Sequence, residues 1–127
     1  MASTHFVVGY PPGGQHGATT MKNLPEVPAE RALRVIGGRW KLHVLWHLLE
    51  HRRRLSELQR LIPGITQKVL IQQLRELEAH GVVSREVFAE VPPRVEYEAT
   101  PLGLTLRPLL ESLCSWGRQH AQARGAR

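Results

Sequence analysis

The feature that most restricts the fold of this chain is the run from Ser56 to Gly81, in which Pro63-Gly64 and a closing glycine punctuate two helical patterns of unequal length. Ser56-Glu57-Leu58-Gln59 has the form of a capping box, Leu58, Leu61 and Ile62 make an apolar stripe, and Pro63-Gly64 ends the segment. Thr66 is placed to cap the next helix, and Gly81 to adopt the left-handed conformation that closes it. Within TQKVLIQQLRELEAHG, residues 66–81, a step of about 100° per residue puts Leu70, Leu74 and Leu77 on one face with Gln73 beside them. Lys68, Gln72 and Arg75 fall in a narrow arc on the opposite side, with Thr66 and Gln67 exposed at the helix N-terminus.

The flanking sequence completes a domain around this pair. Residues 1–24 contain Pro11, Pro12, Gly13, Gly14 and Gly17 without sustained periodicity, so they bury too little apolar surface to offset the chain entropy lost on ordering and are expected to form a flexible arm. From residue 25 to residue 127 the chain is expected to form one domain. Pro28 suits a first helical turn, Ala32, Leu33 and Ile36 share a face, and Gly37-Gly38 stops the run. Residues 40–51 are apolar around most of a helical circumference, through Trp40, Leu42, Val44, Leu45, Trp46, Leu48 and Leu49, as in a helix packed on several sides. Residues 82–88 and 94–99 are rich in strand formers and joined through Pro92-Pro93; Val95, Tyr97 and Ala99 alternate with Arg94, Glu96 and Glu98. Thr100-Pro101 then opens a single last helix through Leu102, Leu106, Leu109, Leu110, Leu113 and Trp116 to about Ala123.

Composition limits the function classes. In 127 residues, 42% hydrophobic and 22% charged, Lys+Arg 17 against Asp+Glu 11 gives a formal charge of +6, which favours an anionic partner without naming it. Cys114 is the only cysteine, so an internal disulfide and a four-thiolate zinc site are both excluded, in keeping with a reducing cytosol. There is no export signal and no apolar run of about 18 residues, so the expectation is a cytoplasmic protein without a membrane partner. Nucleophile elbow, phosphate-cradling glycine loop and paired carboxylates poised with a histidine are all missing, and no enzyme activity or cofactor is expected.

The polar stripe supplies the positive signal. Glutamine can grip adenine through both amide groups, arginine and lysine suit guanine, and a helix N-terminus favours a phosphate. On its own such a stripe also suits a solvated helix face. Its position after a tight turn and before a two-stranded hairpin gives it the place of a recognition helix in a winged helix-turn-helix.

The blocks ERALRVIGGRWKLHVLWHLL, RLSELQRLIPGITQKVLIQQLRELEAHGVV, EVPPRVEYEATPLG and LCSWG resemble the successive signatures of the HxlR family of winged helix-turn-helix transcription regulators, from about Pro28 to His120. The resemblance implies a mainly helical α+β fold with a two-stranded β-hairpin wing and extra N- and C-terminal helices for dimerisation. It also implies a homodimer on a pseudopalindromic double-stranded DNA operator, with Thr66, Gln67, Lys68, Gln72 and Arg75 at the DNA. Leu33, Leu106, Leu109, Leu110, Leu113 and Trp116 are the expected dimer residues, the last helix carrying more apolar face than so small a domain needs for itself. A small-molecule effector is left open. Family members that sense electrophiles often carry a cysteine directly before the proline of the first helix; here that pair is Val27-Pro28, and Cys114 reads as a small core or dimer-interface residue.

Three further features have two readings each. His43, His47 and His51 recur along one edge of the core helix at a spacing that can bind Zn²⁺, but with no carboxylate or thiolate placed beside them they are read as surface or packed histidines, and no metal site is expected. The Arg52-Arg53-Arg54 run is either a solvated turn or, just before the helix-turn-helix, a phosphate grip, with Arg54 the nearest candidate. Arg94 at the wing tip either enters a minor groove, touches the DNA backbone or is simply solvated. The alternatives to a regulator are a winged helix used for docking proteins, which the basic stripe disfavours, and a histidine-based metal sensor.

Overall fold

The structure is a computed structural model and describes residues 24–125; the expected arm at residues 1–24 lies outside the described residues except for Leu24. The described residues fall into two units, divided between Gly37 and Gly38.

The first unit carries α1 (Pro28–Ile36). Pro28 sits in its first turn, where a missing N–H costs no hydrogen bond. The Glu30 carboxylate accepts from the Val27 N–H at 2.8 Å, so an acidic side chain closes the helix start from within. Arg34 pairs with Glu26, whose carboxyl is held below its ordinary range by that guanidinium.

The second unit runs α2 (Lys41–Glu50), β1 (Arg53–Arg54), α3 (Leu55–Leu61), α4 (Gln67–Ala79), β2 (Val83–Phe88), β3 (Arg94–Ala99), α5 (Pro101–Leu104) and α6 (Arg107–Ala123). Its core is made by the inward faces of these elements: Val44 and Leu45 from α2, Leu58 from α3, and Leu70, Leu74 and Leu77 from α4 are all 0% exposed. The three α4 leucines are those that a 3.6-residue period places together. Truncating any one of them to alanine is expected to cost about 2 to 5 kcal/mol, the transfer term plus a cavity.

The helix-turn-helix forms as its punctuation predicts. The Thr66 hydroxyl accepts from the Val69 N–H at 3.1 Å, which caps α4, and Gly81 takes φ +78 just after it. The start of α3 differs from expectation. Its first residue is Leu55, and the Glu57 carboxylate accepts from the Arg54 N–H at 2.7 Å, so the acidic half of the box is Glu57 rather than Gln59. Gln59 instead donates from its side chain to the Ile65 carbonyl at 3.4 Å, across the turn.

Two other expectations are corrected. The sheet has a third strand: β1 pairs antiparallel with β3, Arg53 opposite Tyr97 and Arg54 opposite Glu96, giving the order β1-β3-β2. The last helix is broken into α5 and α6 at Thr105-Leu106, because Pro108 has no N–H for the Leu104 carbonyl and its ring crowds that group. In α5, Gly103 lies against the Val82 backbone, where an added Cβ would meet the Val82 carbonyl oxygen at 2.1 Å. Only glycine permits that approach. After the break, Leu110 turns inward and is 2% exposed, so it belongs to the core and not to an outward dimer face. Cys114 is exposed, which removes the core half of its expected role.

Candidate nucleic-acid interface

Thr66, Gln67, Lys68, Gln72 and Arg75 are all exposed, along the outer side of the helix whose inner side carries Leu70, Leu74 and Leu77. Among the described residues no carboxylate lies within pairing distance of Lys68 or Arg75. Two cations on the second helix of a helix-turn-helix are therefore unneutralised. The N-terminal turn of α4 adds backbone N–H groups that the helix itself does not use, oriented for an anion.

Gln72 is held from behind. Its Nε2 donates to the Glu76 carboxylate at 2.8 Å, one helical turn on. The other Glu76 oxygen accepts from Lys41 Nζ, which also donates to Gln73 Oε1 at 3.0 Å. Lys41 is 7% exposed, the buried charged residue of the described core. A buried ammonium is costly unless paired, and Glu76 with Gln73 supplies the pairing. The Glu76 carboxyl is correspondingly held below its ordinary range, by Lys41 first and Gln72 second.

The wing arginines are in a different condition. Arg94, the first residue of β3, is paired with Glu90 and Glu96, and its guanidinium lies over the Phe88 ring at 3.8 Å from the centroid. Arg52 bridges Glu86, Glu96 at 2.5 Å and Glu98 at 3.2 Å. Glu86 and Glu96 face each other across the β2–β3 ladder, so Arg52 neutralises a like-charge pair that would otherwise loosen the hairpin. Arg53 donates to the His47 carbonyl at 3.2 Å and pairs with Glu50 at 3.1 Å. Arg54 alone of the run keeps an open side chain, 57% exposed and 3.9 Å from Glu96. The carboxyls of Glu90 and Glu96 are both held low, Glu90 chiefly by Arg94 and Glu96 chiefly by Arg52.

Away from this surface, α6 turns apolar side chains to solvent: Leu109 is 37%, Leu113 42% and Trp116 63% exposed, while Leu106 is half-buried. Beside them a pocket of about 400 Å³ between α2 and α6 is lined by Leu42, Trp46, Leu113 and Cys114. On α1, Leu33 is 59% exposed. His43 and His51 are exposed and His47 half-buried, and among the described residues no group of three or more His, Cys, Asp or Glu side chains is arranged to hold a metal ion. No described helix is long and apolar enough to cross a membrane.

Residue periodicity located the stripe but missed Lys41, Glu76 and the clamping role of Arg52. The one local signal was the spacing of Gln72 and Glu76, since residues four apart on a helix are neighbours.

A helix-turn-helix followed by a β-hairpin, with an exposed basic stripe on its second helix, defines a winged helix-turn-helix, an architecture of DNA-binding transcription regulators. The profile of HxlR-like helix-turn-helix proteins matches residues 35–124. The HTH-type transcriptional regulator YkvN of Bacillus subtilis is 57% identical over 88 residues, 69% of this chain and 75% of that protein. YtcD of the same organism, also an HTH-type transcriptional regulator, is 53% identical over 94 residues, 74% of this chain and 75% of its own length. Among solved structures, the redox regulator HypR in its reduced form superposes with a TM-score of 0.73 at 44% identity, over 77% of this chain and 97% of that one. The chain belongs to the HxlR family and is a DNA-binding transcription regulator. That family is one of regulators and not of enzymes.

Proposed function

We propose that the protein is a cytoplasmic homodimer that reads a pseudopalindromic operator with two copies of α4. The observation that carries this is the stripe of Thr66, Gln67, Lys68, Gln72 and Arg75, exposed on the second helix of the motif with Lys68 and Arg75 free of carboxylate partners among the described residues. Gln72 and Arg75 read base edges, and Lys68 with the α4 N-terminus holds phosphate. Arg54 lies open beside the wing and grips the backbone; Arg94 joins it only by exchanging Glu90 or Glu96 for a phosphate. Leu109, Leu113 and Trp116, with half-buried Leu106, form the dimer face of α6, and Leu33 offers an apolar contact from α1. A first-helix thiol switch is not part of this reading, because Val27 stands where the cysteine would be.

Two measurements test it. Titration of the protein against a selected operator and scrambled DNA across a salt series is expected to give tight, discriminating binding that weakens steeply with salt, each neutralised phosphate releasing roughly 0.9 counterions. Footprinting on that operator should show two half-sites about one helical turn, roughly 34 Å, apart. Equal affinity for both DNAs overturns the operator reading. Sedimentation should give a dimer at micromolar concentration that Trp116→Asp dissociates; a wild-type monomer overturns the dimer.

A further inference from the structure

The line of side chains from Lys41 through Glu76 to Gln72 has a direction. An ammonium only donates hydrogen bonds and an ionised carboxylate only accepts them, while a primary amide has one end of each kind. Lys41 donates to one oxygen of Glu76, and the other oxygen accepts from Gln72 Nε2 at 2.8 Å. Turning the Gln72 amide over would set Oε1 against a carboxylate oxygen, acceptor against acceptor, with no hydrogen between them. Glu76 stays ionised because Lys41, almost wholly buried, has only Glu76 as a charged partner among the described residues and holds its carboxyl low. The amide nitrogen is therefore kept on Glu76, and Oε1, which accepts no hydrogen bond among the described residues, is left free on an exposed side chain of α4.

A glutamine with a free amide is indifferent, since it can present either end to a base. One whose oxygen is fixed outward needs a hydrogen-bond donor in the groove. The major-groove edges offer two: the N6 amino group of adenine and the N4 amino group of cytosine, whereas guanine and thymine present acceptors there. Adenine is favoured of the two, because the second Nε2 hydrogen, not used by Glu76, can also reach its N7.

We propose that the Lys41–Glu76 pair acts as a positioning device that fixes the amide of Gln72 with its oxygen outward, and so makes the protein select an amino-bearing base, adenine before cytosine, at the operator position Gln72 meets. The proposal rests on the operator reading and adds to it two specificity determinants that do not themselves face the DNA. It also gives the buried lysine a reason: Lys41 neutralises a carboxylate that would otherwise stand bare beside the reading surface and repel phosphate.

The test is selection from a DNA library randomised across the half-site, sequenced for wild type, Gln72→Ala, Glu76→Gln and Lys41→Met, with thermal unfolding recorded for each. Wild type is expected to enrich adenine, then cytosine, at one position per half-site, and Gln72→Ala to flatten that position. Glu76→Gln, whose side chain accepts or donates equally well, is expected to lower the preference for amino-bearing over keto-bearing bases there by about tenfold, the other positions keeping theirs. Lys41→Met should relax the same position if it folds; Glu76, with 41% of its side chain exposed, is the variant that keeps the test decisive if it does not. A general loss of packing would lower affinity at every position alike, so the single-position effect separates positioning from structure. Guanine or thymine at the Gln72-dependent position, or a preference unchanged in Glu76→Gln, overturns the proposal while leaving the operator reading intact; no Gln72-dependent position at all overturns the proposal and, with it, the base-reading role given to Gln72. If the wild type enriches no sequence, the operator reading itself fails, and this proposal with it.

Discussion

The recognition helix and the wing draw on the same residue types and use them in opposite ways. On α4, Lys68 and Arg75 carry positive charge to the surface with no carboxylate at ion-pairing distance among the described residues. Around the wing, Arg52 and Arg94 share Glu86, Glu90, Glu96 and Glu98 between them, and Arg94 also lies over Phe88. A formal charge of +6 is therefore distributed unevenly in its effect: the helix presents charge, while the wing consumes it in holding its own shape. Charge counted from composition measures what a protein carries. What it offers a partner depends on which cations already have one.

That contrast predicts the ranking of substitutions at the DNA. Arg75→Ala is expected to have the largest effect, cutting the ratio of operator to scrambled-DNA affinity by the value of a base-edge contact, about 1 to 3 kcal/mol. Arg94→Ala should leave that ratio nearly unchanged and weaken both DNAs by less than Arg75→Ala weakens the operator, since its guanidinium must give up carboxylates to touch phosphate. Parallel titrations of the two variants decide the matter. If Arg94→Ala costs more selectivity than Arg75→Ala, the division of labour between helix and wing is wrong.

A smaller effect should appear in stability. Removing Arg52 leaves Glu86 and Glu96 facing each other on adjacent strands. Arg52→Ala is expected to lower the Tm modestly, more at low salt than at high, because the pairs are exposed and screened. Adding Glu86→Gln should recover most of the loss by removing the repulsion. A double variant no more stable than the single one would show that Arg52 supports the wing by packing and not by charge.

How legible each region was follows from the range of the interactions that make it. The helix-turn-helix could be read because its signals are local: Thr66 and Gly81 bracket α4, and the period of Leu70, Leu74 and Leu77 fixes which side faces out. Strand β1 could not, since Arg53 and Arg54 have no strand pattern of their own and are extended because Tyr97 and Glu96 lie opposite. The break between α5 and α6 was written in Pro108, but the leucine periodicity on either side concealed it and misplaced Leu110. The free stripe was visible, whereas the device behind it was not. Lys41 and Glu76 are distant in sequence, and a lysine opening an apolar helix looks like a solvated terminus until the fold places a carboxylate against it.

The smallest expected effect is a dependence on acid, and it separates the two regions once more. The carboxyls of Glu76, Glu90 and Glu96 all titrate below their ordinary range in the folded chain, through Lys41, Arg94 and Arg52 respectively as the leading partners. A depressed folded value means that the unfolded chain takes up protons first. The stability these groups contribute is then complete at pH above the unfolded carboxylate value of about 4.3 and is lost as pH falls through the lower folded values. Thermal unfolding of wild type and Glu96→Gln should accordingly differ by a constant amount from neutrality down to mild acid, and converge below it, because protonation removes in the wild type what the substitution has already removed. Comparing the two proteins at each pH cancels the histidines they share. The same experiment with Glu76→Gln should show convergence in the same direction. A gap between wild type and Glu96→Gln that persists unchanged into strong acid would mean that the wing holds together without its ion pairs, and that the difference between helix and wing lies elsewhere than in how each employs its charge.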